Sequence, residues 1–232
     1  MTRGGLADAD YLPLALAGFM DHLRVQQASL VLERPQQFNS LGGGELLAAE
    51  LAPPYWRGSV TLTPMQSRDA DQLTSRLEAL AVPGRSFEIC HPHRIGPRSD
   101  PLGAALAGFS PVIEEVPADP GSLKLGGLPS GYELSPGDLL AFSYNPGTGQ
   151  RRALHRVVEG ATASSASAHG GFQAGPFEVA PYVRPGVAAG ASVSLIRPAC
   201  LAVLVPGSVS SGISRGSVTY GLTFNFRQKL RA

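Results

Sequence analysis

Residues that could hold a metal crowd together at one place in this chain. The stretch SFEICHPHRIGP (Ser86–Pro97) puts Cys90, His91 and His93 within four positions. Crowding alone does not make a zinc site. In an extended segment successive side chains alternate, so His91 and His93 point one way and Cys90 the other. Structural zinc sites space paired ligands by about two to four residues and take a second pair from elsewhere. His22, His155, His169 and Cys200 each stand apart in the sequence. The expectation is a strand that ends at a proline-rich corner, with its imidazoles meeting solvent or a neighbouring subunit, and with no metal and no cofactor.

A second pattern, GISRG (Gly212–Gly216), matches the Gly-x-Ser-x-Gly nucleophile elbow. That elbow needs a strand before it, a helix after it, and an acid and a histidine further along the chain. Eighteen residues follow Ser214, and none is His, Asp or Glu. A glycine turn explains the pattern better. Glu114 and Glu115 are neighbours, so on a strand they face apart rather than converge on a substrate. Asp138 follows a Pro-Gly pair and is expected to bond nearby backbone in a turn. The basic run RRALHR (Arg151–Arg156) lacks the interleaved aromatics of a single-strand binder and reads as solvated charge. Nothing assembles a nucleophile, a base and an oxyanion donor. No catalytic, cofactor-binding or metal residue is assigned, and no enzyme is expected.

The totals point the same way. The chain has 232 residues, of which 43% are hydrophobic and 16% charged, which excludes a disordered polyelectrolyte. A formal net charge of +1 gives no global pull toward nucleic acid or anionic membrane. With 28 Gly and 20 Pro and few long helical patterns, the composition favours β structure. Two cysteines do not make a disulfide framework; buried thiols in a reducing compartment are expected. The opening residues lack the pattern of a secretory signal. The longest apolar run, Ala199–Val205, falls far below the roughly 20 residues needed to span a bilayer, so no membrane insertion is expected.

The elements that would position these residues follow from periodicity. Leu12–Leu23 is expected as a short helix or an extended arm, and Ala28–Pro35 as a strand closed by proline. SLGGGELL demands a tight turn, because three glycines free the backbone at positive φ. Trp56–Pro64 alternates, with Val60 and Leu62 on one face and Ser59, Thr61 and Thr63 on the other. One amphipathic helix carries Ala70, Leu73, Leu77 and Leu80 at three- and four-residue steps. Ser67 is expected to cap it, with a competing box of Thr63 and Gln66, and Asp69 favours its first turn. RSFEIC is the strand that leaves the helix. After a loose stretch, Leu102–Pro120, come SLKLGGL, DLLAFSY, RALHRVV, GPFEVAPYV and ASVSLIR, a set of short strands with the spacing of a small barrel. TASSASAHGG (Thr162–Gly171) reads as a flexible surface loop. The last strand places Leu222, Phe224, Phe226, Gln228 and Leu230 on a core face. Its other face carries Thr223, Asn225, Arg227, Lys229 and Arg231, and on an edge strand that basic face would blunt stray pairing.

Taken in order, the pieces LPLALAGFMDHLRV, LGGGELLAAELAPPYWRGSVTLTPM, SRDADQLTSRLEAL, GRSFEICHP, LKLGGLPSGYELSPGDLLAF, ALHRVVEG and RPACLAVLVPGSVSSGISRGSVTYGLTFNFRQ carry a likeness. Together they resemble the tail-tip proteins of long-tailed bacteriophages and gene-transfer particles, and within that group most of all a distal tail protein. The motifs concerned, such as Leu-Pro-x-Gly-Tyr-x-Leu-x-Pro-Gly-Asp, are structural and supply no site. The resemblance implies a mainly β fold: a split β-barrel or sandwich with one amphipathic helix, from residues 1–110 together with 199–232. Residues 111–198 would form a small inserted barrel of oligonucleotide/oligosaccharide-binding (OB-like) type. It also implies a structural virion protein at the tail tip, assembled in the host cytoplasm. There it would form a homo-oligomeric, hexameric ring with the tail tube protein above and the tail hub and other baseplate proteins below, and side fibres as further partners. Sequence-specific nucleic acid is not among the implied partners. The Cys-His-Pro-His corner departs from the aromatic or aliphatic strand end expected there. The alternative reading is a carbohydrate- or receptor-binding baseplate module that uses the inserted barrel, for which exposed aromatics among Tyr132, Phe142, Tyr144, Phe172, Phe177 and Tyr182 would speak. A cell-wall hydrolase is a third, disfavoured by the missing acid/base pair.

Overall fold

The computed structural model describes residues 13–40, 42–44 and 46–231. In place of one helix or arm before Leu23, two 3₁₀ turns form, Leu16–Gly18 and Met20–His22; Leu12 lies outside the described residues. The segment expected as one strand splits into β1 (Val25–Ala28) and β2 (Val31–Glu33). Next come β3 (Gln36–Ser40) and β4 (Leu46–Glu50), which pair as a hairpin around the glycine turn, then β5 (Tyr55–Leu62). Alternation in β5 sends Trp56, Val60 and Leu62 into the core. Gly58 shares that face, and no other residue fits: an added Cβ would overlap the Ser29 carbonyl and the Phe226 ring.

After β6 (Met65–Gln66) the chain enters helix α1 (Ser67–Leu80), which buries Ala70, Leu77 and Leu80. Ser67 is not the cap. Gln66 holds that position with no capping side chain, and the Thr63–Gln66 box does not form. The reason is β6, whose pairing claims the residues just before the helix: Ser67 N–H donates to Ser217 O at 2.8 Å, and the Ser67 hydroxyl accepts from Thr219 Oγ1 at 3.1 Å. Then follow β7 (Phe87–Cys90), β8 (Val112–Glu115), β9 (Ser122–Leu128), β10 (Glu133–Leu134), β11 (Leu139–Tyr144) and β12 (Arg151–Val157). The rest is β13 (Ala161–Thr162), β14 (Ser165–Ala166), β15 (Phe172–Ala180), β16 (Val193–Ser194), β17 (Ala199–Leu204), β18 (Ile213–Arg215), β19 (Val218–Tyr220) and β20 (Thr223–Gln228).

The fold is mainly β, with a half-barrel sheet carrying α1 and a second sheet that nearly closes into a small barrel. The first sheet runs β1–β5–β20–β17–β7, with β2 also on β5. Strand β20 is therefore interior, between β5 and β17, and not the edge its basic face suggested. Of its expected core face, Leu222, Phe224, Phe226 and Gln228 are buried, while Leu230, beyond the strand's end, is only half-buried. Phe224 meets Phe19 and Phe87 across this core, with Phe19 and Phe87 edge-on at 5.0 Å.

The second sheet runs β16–β11–β12–β15–β9–β8. Its two ends meet where Ile113 N–H donates to Ala191 O at 2.9 Å and Val193 N–H donates to Pro111 O at 2.8 Å. Strand β8, inside the stretch expected to be loose, is the piece that closes it. Ile113, Leu123, Leu125, Leu128, Leu140 and Phe177 fill the interior. TASSASAHGG is not free of structure: Thr162 pairs with Glu133, and β14 pairs with β15.

Candidate functional site

The basic run Arg151–Arg156 lies on β12, which packs beside β17 of the first sheet, and it is not solvated charge. Arg152 makes an ion pair with Glu88 of β7. Arg156 lies over the Trp56 ring, 4.8 Å from its centroid, and reaches Leu30 O at 3.4 Å. Between them, the Leu154 carbonyl accepts from Trp56 Nε1–H at 2.7 Å. Arg184 adds a bond to Pro54 O at 2.7 Å. These contacts join the two sheets, and their partners are far apart in sequence, so periodicity could not reveal them.

His155 of the same strand is fully buried and stacks flat on Phe142, with centroids 5.1 Å apart. Its Nδ1 lies 2.7 Å from Pro181 O, and a carbonyl can only accept, so the proton sits on Nδ1. Burial drives its pKa down to about 4 against the upward pull of that bond, with Arg184 lowering it further. Nε2 is buried with no hydrogen-bond partner.

At the Cys90–His93 corner the thiol and the imidazoles do not converge. Cys90 is buried at the end of β7, and burial raises its pKa. Cys200, on the paired strand, is buried too, its thiol pushed up to about 12. The His91 and His93 rings stand 6.2 Å apart, edge to face, and His93 N–H donates to His91 Nδ1 at 3.2 Å. Among the described residues no group of three or more His, Cys, Asp or Glu is gathered closely enough to hold a metal ion.

The other candidates also resolve into structure. Ser214 lies on β18, which turns through Gly216 into β19 with no helix following, and its hydroxyl meets Thr219 Oγ1 at 2.9 Å. Glu114 accepts from Ser167 Oγ at 2.6 Å and Ala168 N–H at 2.8 Å, while Glu115 reaches Lys124 at 3.7 Å, so the pair does face apart. Asp138 bonds Ser135 N–H at 2.8 Å, as a turn residue should, and in addition Arg98 N–H at 2.9 Å. Of the aromatics on the inserted segment, Tyr132, Phe142, Tyr144 and Phe177 are buried and Phe172 is half-buried; Tyr182 is exposed. Tyr182 is thus the one exposed ring of these six.

One feature went unread in the sequence. Every described residue of β3 and β4 is exposed, including Phe38, Leu46 and Leu47, and Leu51 follows them. The cross-strand register puts Phe38, Ala48 and Leu46 on one face of this hairpin, and Leu47 and Ala49 on the other. The clue was available in QQFNS and LLAAE on either side of the glycines. Compared with known proteins, the chain matches no family model and no curated protein.

Proposed function

We propose that this chain is a structural assembly protein, a distal-tail-type ring component at the tail tip of a long-tailed bacteriophage or gene-transfer particle. In this reading identical copies close a hexameric ring that joins the tail tube to the tip hub. The reading draws its family from the motifs quoted above. It draws its physical support from the β3–β4 hairpin. A two-stranded hairpin standing alone in water is marginal. One that carries apolar side chains on both faces needs cover on both sides, which a closed ring of copies supplies by repeating one interface around an axis. The first sheet adds an edge: β1 pairs on one side with β5, and no described strand pairs with its other side.

Native mass spectrometry of the pure full-length chain across a concentration series tests the assembly. A discrete closed oligomer is expected, and Leu47→Asp should shift it to monomer. A wild-type chain that stays monomeric both alone and with tube and hub proteins overturns the reading. So does gold-labelled electron microscopy that finds the polypeptide away from the tail tip.

A further inference from the structure

The exposed hairpin β3–β4 has a counterpart at the far end of the first sheet. The hairpin grows as an arm out of the β2–β5 pair. Glu33 lies opposite Tyr55, and Leu51 N–H donates to Pro35 O at 2.9 Å where the ladder resumes. Strand β5 then runs eight residues, Tyr55–Leu62, or about 26 Å at about 3.3 Å per residue. Just past its end comes β6, the first strand of a small sheet ordered β6–β19–β18. The arm and this small sheet therefore lie at opposite ends of one strand.

The small sheet is covered on one face and bare on the other. Thr219, opposite Ser214, marks the inner face: it is buried, and its hydroxyl donates to Ser67 Oγ at 3.1 Å. The next register pair, Ile213 and Tyr220, faces outward, 67% and 46% exposed. Among the described residues, no other two large exposed apolar side chains stand directly opposite each other on paired strands. Arg215, two residues beyond Ile213, shares the outer face and is exposed. No described strand pairs with the outer side of β18. A free edge beside an apolar face is a template for another strand.

We infer that the β3–β4 arm of one copy docks on the β18 edge and the Ile213–Tyr220 face of the next copy. This rests on the ring reading and names the two surfaces that meet in it. Charge selects the pairing. Between Gln36 and Leu51 the charged residues are Glu45 and Glu50, both acids; between Gly207 and Leu222 the one charged residue is Arg215. No Asp or Glu follows Glu178 anywhere in the chain. Arm on arm would set acid against acid, whereas arm on β18 sets acid against a guanidinium. The arm brings what the edge lacks, a strand with a free side and exposed apolar side chains to cover Ile213 and Tyr220. Main-chain hydrogen bonds hold an added strand of this kind, and side-chain pairs set its register. Donor and acceptor are different surfaces, so the contact runs head to tail, which gives a ring when its rotation closes.

The test is complementation between two broken copies of the full-length chain, under the condition in which the wild type closes. The arm variant carries Leu46→Asp and Leu47→Asp, one on each face of the hairpin; the acceptor variant carries Ile213→Asp. All three residues are exposed, so both variants should keep the wild-type circular dichroism and unfolding midpoint. Each alone should be monomeric by native mass spectrometry. Mixed in equal amounts, with a heavy-isotope label on one, they should form a one-to-one dimer and nothing larger, because one intact arm meets one intact edge. Tyr220→Asp, on the paired strand, is a second acceptor variant with the same expectation. Acceptor variants that close as the wild type does, or a mixture of folded variants that stays monomeric, overturn this pairing and leave the ring reading standing. A wild-type chain that never assembles overturns both.

Discussion

Lowering the pH should weaken this protein, and one buried histidine has a share that can be isolated. His155 is fully buried against Phe142, with Nδ1–H committed to Pro181 O and Nε2 unpartnered. Its ordinary pKa of 6.5 falls to about 4 in the fold. Between those values the unfolded chain binds a proton at this site and the folded chain does not, so stability declines as pH falls. The contribution is fully present above about pH 6.5 and is lost progressively down to pH 4. The shift spans about 2.5 units at about 1.4 kcal/mol each, or about 3 kcal/mol. That is a large part of the roughly 5–15 kcal/mol by which a domain is usually stable. Urea denaturation from pH 4 to 8 measures it, with His155→Gln as the reference. The difference in unfolding free energy between wild type and variant should be flat above pH 7. It should fall by about 3 kcal/mol by pH 4. The two proteins share every other ionisable group, so those contributions cancel in the difference. Parallel curves for the two proteins, or an imidazole resonance of His155 with its midpoint near the ordinary value, would refute the reasoning.

Further outcomes follow from the packing. Gly58→Ala should prevent folding or cost more than about 3 kcal/mol, because both obstacles are fixed by the sheet; thermal unfolding by circular dichroism checks it. Trp56→Phe should cost about 2 kcal/mol in urea, since it strands the Leu154 carbonyl and leaves a smaller, weaker ring beneath Arg156. Leu47→Asp lies in a hairpin whose described residues are all exposed. It should leave monomer stability within about 0.5 kcal/mol while abolishing self-association, read by denaturation and native mass together.

Segments with strong periodicity were legible in the sequence. The two-residue alternation of Trp56–Leu62 and Leu222–Gln228 and the helical spacing of Ala70, Leu77 and Leu80 each placed the buried face correctly. What failed depended on partners. Ser67 has the chemistry of a cap, yet the strand pairing before the helix fixes its backbone elsewhere. The basic face of β20 fits an edge by composition, while its neighbours are set by a chain return from β17 that no local pattern encodes. Arg152 and Arg156 read as solvated because Glu88 and Trp56 lie 64 and 100 positions away. The hairpin was missed for a different reason: its described apolar residues are exposed rather than part of a core, so no core pattern marks them.

The joint between the sheets bears on how the second sheet can serve an assembly. Trp56 is completely buried, and a barrel carbonyl and a barrel guanidinium cover it. Leu139, Ala141 and Leu154 of the barrel strands belong to the same apolar cluster as Phe87 and Phe224 of the first sheet. Arg152 and Arg184 then hold the rims through Glu88 and Pro54. A module hung on a flexible linker would bury no side chains of its host and would leave its own outer face polar. Here the outward residues of β11 and β12 help form the host's core. The barrel is thus a structural part of the first sheet's interior, and a surface fixed on one is fixed on the other. In a ring of copies this geometry would give every barrel one orientation, so that any contact a barrel makes is repeated around the axis, which is how a weak single-site contact gains strength by repetition.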